Sequence, residues 1–236
     1  MNRIIIPIIF AAVLLASCTT TGQGTDYAND AKLISPTAMV APTDNPEARD
    51  AYNKGSQLMN AGKYNEAEPY LLKAVELDPK FVDAMDHLGI VYRRQKRYED
   101  AEKIYLRSLS INDRNSVPYV NLGLVYRNLN RFDDSLRMYA KLIEIEPDNP
   151  EGYYGAGELF LMAQDYENSI ACFKTAEELY TKQKSVLVYD AYYYLGFNYY
   201  YLEDYDEALR YLELARQYHK NNQQLENLIK DIKNRK

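Results

Sequence analysis

Few residues in this 236-residue chain are of kinds that make or break bonds. There are two histidines, His87 and His219, and two cysteines, Cys18 and Cys172. A metal centre needs several His, Cys or carboxylate ligands at short spacing, and neither histidine has such neighbours. A phosphate cradle or a strained nucleophile turn needs glycine-rich motifs, and the chain carries none. Asp83 with Asp86, and Asp204 with Asp206 and Glu207, read as solvated faces or helix-start charges. No catalytic residue, cofactor or metal site is therefore expected, and the chain does not read as an enzyme. Cys172 reads as a small buried apolar residue. What remains is chemistry suited to holding another molecule. Arg93 and Arg127 could grip a carboxylate or a backbone carbonyl, or simply be solvated near a helix end.

The composition agrees with a binding role. It is 47% hydrophobic and 26% charged, ordinary for a globular chain. The net charge of −6 argues against a nucleic-acid footprint, which would require a basic face. Tyrosine is the anomaly, with 24 Tyr against 6 Phe and no Trp.

The N-terminus reads as an address. Arg3 precedes an apolar run, Ile4 to Ala16, that ends in small residues before Cys18. This is the pattern of a secretory signal. The run is too short to span a hydrocarbon layer of roughly 30 Å, and Pro7 disfavours a lasting helix. Leu15-Ala16-Ser17-Cys18 resembles a bacterial lipobox. The resemblance implies that residues 1–17 are a lipoprotein signal peptide, and that Cys18 carries a thioether-linked diacylglycerol and an N-acyl chain. An ordinary signal peptide cut nearby is the alternative. Several acyl chains suffice for a stable anchor. Thr19, rather than Asp, follows the cysteine; by the sorting rule of enteric bacteria this favours the outer membrane, facing the periplasm. Residues 18–45 lack any sustained period and carry Pro36 and Pro42, so they read as a lipidated end and flexible linker with a reach of roughly 30 Å.

From Asn45-Pro46 a repeat begins, with Asn45 placed to cap a helix and Pro46 in its first turn. Gly55, Gly89, Gly123, Gly157 and Gly196 recur at spacings of 34, 34, 34 and 39. Nine residues after each comes an aromatic: Tyr64, Tyr98, Phe132, Tyr166, Tyr205. Three further on is a small residue: Ala67, Ala101, Ser135, Ser169, Ala208. Four beyond that is a large apolar one: Leu71, Tyr105, Tyr139, Phe173, Leu212. The glycines and small residues mark where two helices approach closest, and the large residues fill the space between hairpins. This pattern resembles the tetratricopeptide repeat. The resemblance implies an all-α fold, an α-solenoid of five helix hairpins in a right-handed superhelix. The units fall near 48–81, 82–115, 116–149, 150–188 and 189–222. The five extra residues near Thr181–Val188 are expected to lengthen the neighbouring helices by a little over one turn and to change the superhelical pitch. Residues 223–236 carry Leu225, Leu228, Ile229 and Ile232 on one stripe, read as a capping helix or as a partner-binding amphipathic tail.

In that family the first helix of each hairpin lines a concave groove where partners bind. The groove positions here hold Tyr52, Ile90, Arg93, Val120, Leu124, Arg127, Tyr154, Leu161, Tyr193, Phe197 and Tyr200. Exposed apolar and aromatic residues there would form a partner surface; a tight superhelix would instead cover them. The Lys and Asn clamp of chaperone-tail-binding relatives is absent, because Tyr52, Ser56 and Val117 stand at positions of the clamp, although Asn121 is kept. The expected function is that of a lipid-anchored scaffold in the bacterial envelope, which binds an apolar or aromatic segment of another envelope protein. Lipidated tetratricopeptide proteins resembling this one in layout include pilotins and adaptors for envelope hydrolases. The alternative is a periplasmic component that holds a small ligand beside a transporter. Membrane contact would come through the lipid, and nothing in the sequence sets the oligomeric state.

Overall fold

A computed structural model of the chain describes residues 43–218 and 222–235. The signal segment, Cys18, the linker up to residue 42 and His219 lie outside the described residues. Eleven α-helices follow one another there, with no strand: α1 Pro46–Asn60, α2 Tyr64–Leu77, α3 Val82–Arg94, α4 Tyr98–Ile111, α5 Ser116–Asn128, α6 Phe132–Ile145, α7 Glu151–Met162, α8 Tyr166–Lys182, α9 Val188–Tyr201, α10 Tyr205–Tyr218 and α11 Gln223–Arg235. The first ten alternate as first and second helices of five pairs. The contacts gather into two compact units, one ending at Ser135 and one beginning at Leu136, so the boundary falls inside α6.

The helix starts follow local chemistry. Asn45 accepts from the backbone N–H groups of Glu47 and Ala48 at 3.0 and 3.1 Å and donates from Nδ2 to the Leu77 carbonyl at 3.1 Å. Such a cap contributes about 1 kcal/mol. Thr43, expected to belong to the linker, is buried, and its hydroxyl donates to Asp78 at 2.5 Å. Asn115 caps α5 and Asp165 caps α8 in the same manner.

The ends of the first helices repeat a backbone feature with the same period. Gly62, Lys96, Asn130, Gln164 and Glu203 all have left-handed φ, between 58° and 73°. The next N–H after each reaches back across the last turn, as Arg97 does to the Tyr92 carbonyl at 2.8 Å and Asp165 to Phe160 at 2.9 Å. Orphan carbonyls at the helix end are satisfied this way. Four of the five positions lack glycine, so no residue type marks the turn in the sequence.

The glycine column makes close contacts inside each pair. A Cβ on Gly89 would stand 2.5 Å from the Tyr105 ring, one on Gly55 2.7 Å from Leu71, and one on Gly196 2.5 Å from Leu212. These are the glycines and large residues the spacing pairs. The small residues between them are buried, and the Ser135 and Ser169 hydroxyls donate to the carbonyls of Gly123 and Gly157 at 2.7 and 2.9 Å.

The extra residues of the fourth unit are shared out. Helix α8 has 17 residues where α2, α4 and α6 have 14. It gains three, less than the full turn expected, and the loop and α9 take the rest. At the C-terminus, Leu225, Ile229 and Ile232 of α11 are buried against Ala208, Leu212 and Ala215 of α10. The stripe of the last helix is thus occupied by its own chain.

Candidate functional site

In the unit ending at Ser135 the first helices α1, α3 and α5 carry six of the proposed groove residues. The expectation of exposure fails at four. Tyr52, Ile90, Val120 and Leu124 are buried, Ile90 completely. The cause is visible at Tyr52, whose ring lies 4.9 Å from both Phe81 and His87. Tyr52 on α1 therefore packs against α3 and the residue that precedes it, and does not face an open groove. The two arginines remain half-buried. Arg93 Nε donates to Asn121 Oδ1 at 3.0 Å, and Asn121 Nδ2 donates to the Val117 carbonyl at 2.9 Å. Arg93 therefore ties α3 to α5.

The same unit holds a polar knot that residue spacing did not reveal. Asp86, read from sequence as a solvated or helix-start charge, is buried at 3% exposure. The Ser108 hydroxyl and Asn115 Nδ2 donate to its two oxygens, each at 2.6 Å. Since Asn115 also caps α5, one carboxyl joins α3, α4 and the start of α5. Burial pushes Asp86 up to about 7 against the pull of those two hydrogen bonds. Its neighbour His87 has Nε2 3.4 Å from the Tyr52 hydroxyl and a buried Nδ1 with no hydrogen-bond partner. Burial pushes His87 down to about 4, so the ring is neutral at physiological pH. Among the described residues no group of three or more His, Cys or carboxylate side chains could hold a metal. Cys172 is buried.

In the unit beginning at Leu136, Tyr154 on α7 also departs from expectation. It is buried edge-on against Phe173, Tyr180 and Tyr194, at 5.3, 6.4 and 5.8 Å. Its hydroxyl is held well above the ordinary range by burial first, then by the Glu158 carboxylate, Tyr194 and Asp190. Leu161, Tyr193, Phe197 and Tyr200 are half-buried. Tyr193 and Phe197 belong to a row of rings along one side of α9. Tyr189 to Tyr193 is 6.4 Å, Tyr193 to Phe197 6.2 Å and Phe197 to Tyr201 4.9 Å, and Tyr201 stacks on Tyr166 at 5.3 Å. Tyr201, which was not among the expected groove residues, is 49% exposed. The i, i+4 spacing of Tyr193, Phe197 and Tyr201 was the signal that could have found it. Tyr200 turns to the last helix, where its hydroxyl donates to Asp231 at 2.7 Å.

Paired helices at a fixed period, closed by an amphipathic helix and lined with apolar residues, define a helix-hairpin repeat protein, an α-solenoid. Models of the tetratricopeptide repeat match residues 47–114, 81–148, 120–184 and 190–222, and the chain belongs to that family. Among solved structures, a tetratricopeptide repeat protein from Parabacteroides merdae ATCC 43184 is similar with a TM-score of 0.64 and 22% identity, over 80% of this chain and 73% of its own. The Pseudomonas aeruginosa pilF protein gives a TM-score of 0.69 and 22% identity, over 80% and 86%. MamA from Desulfovibrio magneticus RS-1 gives 0.64 and 15%, over 77% and 99%. At these identities the likeness is one of fold. The family is built for binding proteins, and the repeat array here is a protein-interaction scaffold.

Proposed function

We propose that the chain is a lipid-anchored adaptor of a bacterial envelope that holds a segment of another envelope protein on the first helices of its C-terminal unit. The observation that carries the binding site is the aromatic row of α9, where half-buried and exposed rings follow one another at one helical spacing. Such rings offer large contact area at small entropic cost, as interface hot spots do. The anchor rests on Leu15-Ala16-Ser17-Cys18 after a short apolar run. The favoured location is the outer membrane, facing the periplasm, from Thr19.

Two measurements test the two halves. Cys18→Ser is expected to move the protein from the membrane pellet to the soluble fraction; a variant that stays in the pellet at the wild-type level removes the lipid anchor. In pull-downs from envelope extract, Tyr193→Ala/Phe197→Ala is expected to lose the main partner that the wild type retains, since each hot-spot ring contributes about 2 kcal/mol. Retention of every protein partner by the double variant would sink the assignment of this surface. A small molecule that co-purifies with the wild type and is lost with the rings would favour a ligand carrier instead.

A further inference from the structure

We infer that residues 38–42, which precede the first described residue, dock as an extended strap in the groove between α2 and α4. This goes beyond the scaffold reading and depends neither on the rings of α9 nor on the lipid anchor.

The groove is the first argument. A recess of about 480 Å³ lies between these two second helices. Leu72, Val75 and Pro79 line it on one side and Ile104 on the other, and Leu88 and Tyr92 of α3 complete the lining. Leu72 is half-buried and Pro79 is exposed, so apolar surface is open to an occupant. Arg107 Nη2 donates to the Pro79 carbonyl at 2.8 Å and ties the two sides together at one end. The rim sets Glu76 and Asp100 against Lys103 and Arg107, two charges of each sign. An apolar recess with a balanced rim suits an uncharged apolar segment.

The second argument is where the chain arrives. Thr43 is buried at 4% exposure. Its hydroxyl donates to Asp78 Oδ2 at 2.5 Å, and its carbonyl accepts from Arg49 Nη2. Asp78 is the chain neighbour of Pro79, which lines the groove. The residues before Thr43 are thus delivered to that end of the groove. A segment held so close acts at a high effective concentration, so modest apolar contact is enough to seat it.

The third argument is composition and length. Residues 33–42 read Leu-Ile-Ser-Pro-Thr-Ala-Met-Val-Ala-Pro and carry no charge, whereas Asp26, Asp30 and Lys32 stand before them. On α4 the lining runs from Asp100 to Arg107, about 10 Å at 1.5 Å per residue. Five extended residues cover about 16 Å at 3.3 Å each, enough for the groove and the step into it from Thr43. Pro42 biases Ala41 towards an extended backbone. Side chains of an extended chain alternate between faces, so either face brings Met39 or Val40 to the groove.

The test uses the full chain in envelope membranes with pairs of introduced cysteines. In the seated strap Val40→Cys stands beside Lys103→Cys, and mild oxidation is expected to close a disulfide within one chain, which requires Cα atoms no more than about 7 Å apart. The comparison pair is Val40→Cys with Asp50→Cys. Asp50 is exposed on α1, about 8 Å along the helix from Asn45, and a chain pivoting freely at Thr43 reaches it as readily. The first pair is expected to close at least about tenfold faster than the second. Ala38→Asp/Met39→Asp puts a carboxylate on each face of the strap and leaves every described residue in place. It is expected to slow the first pair to the rate of the second, because an apolar groove expels the charge. Leu72→Asp is expected to do the same from the groove side. Equal rates for the two pairs overturn the proposal. Closure of the first pair undiminished by Ala38→Asp/Met39→Asp overturns it too, since tethering alone then suffices. A disulfide-linked dimer in place of the internal bridge would assign the groove to a second copy and overturn the strap. Capture of a different envelope protein by the Lys103→Cys thiol in place of residue 40 would do so as well.

Discussion

Gly155→Ala is expected to lower the unfolding free energy of the C-terminal unit by about 3 kcal/mol, near the upper end of the usual cost of overpacking a core. A Cβ there would stand 2.2, 2.4 and 2.6 Å from three atoms of the Tyr139 ring. That ring is fully buried, so it has no solvent to move into. Gly152, one turn earlier, is equally confined, by Ile143 Cγ1 at 2.6 Å and the Tyr139 carbonyl at 3.1 Å. Alanine would by itself favour a helix over glycine by about 1 kcal/mol, and the clash outweighs this. Gly157, the glycine of the repeat pattern, meets Phe173 only at 3.0 Å and beyond, so Gly157→Ala is expected to cost about 1 kcal/mol at most. Urea midpoints from circular dichroism check the order. A Gly155→Ala midpoint equal to the wild type, or a Gly157→Ala midpoint below that of Gly155→Ala, contradicts this packing.

The second large effect concerns pH and two adjacent residues of α3. Asp86 is pushed from 3.8 up to about 7 and His87 from 6.5 down to about 4, both by burial first. Folded Asp86 keeps a proton that the unfolded chain releases. Its contribution is complete below its ordinary value of 3.8 and is lost as pH rises through 7. Folded His87 stays neutral where the unfolded chain takes a proton. Its contribution is present above 6.5 and is lost as pH falls through 4. The two slopes oppose each other over the same window and largely cancel. Removing one group exposes the other. Relative to wild type, Asp86→Asn is expected to gain stability with rising pH between 4 and 7, and His87→Gln to lose it. Each change is on the order of 3 kcal/mol across the window. Denaturant titrations of the three proteins at several pH values check this. Slopes of the same sign for both variants would refute it.

These two effects differ in how far the sequence foretold them. The contacts of Gly55 with Leu71, Gly89 with Tyr105 and Gly196 with Leu212 were legible, because both partners sit at constant offsets within one hairpin. The strain at Gly155 was not, because that glycine lies outside the repeating column and its partner Tyr139 belongs to the preceding hairpin repeat. Asp86 was hidden for a similar reason. Its partners Ser108 and Asn115 are ordinary surface-type residues, 22 and 29 positions away, and only packing brings them to one carboxyl.

The sequence alone determined the helices, the period of the repeat and the family, since these depend on residue size and polarity at short, regular separations. It also placed the chemistry of the chain in binding, by the few chemical residues it carries and the aromatic ones it has in excess. Tertiary structure decided which candidate residues a partner can reach. Tyr52, Ile90, Val120, Leu124 and Tyr154 are buried, while Tyr193 and Phe197 remain half-buried and Tyr201 is exposed. Position within a repeat says which face of a helix a residue occupies. How much of that face stays open is set by how closely the neighbouring first helix packs against it.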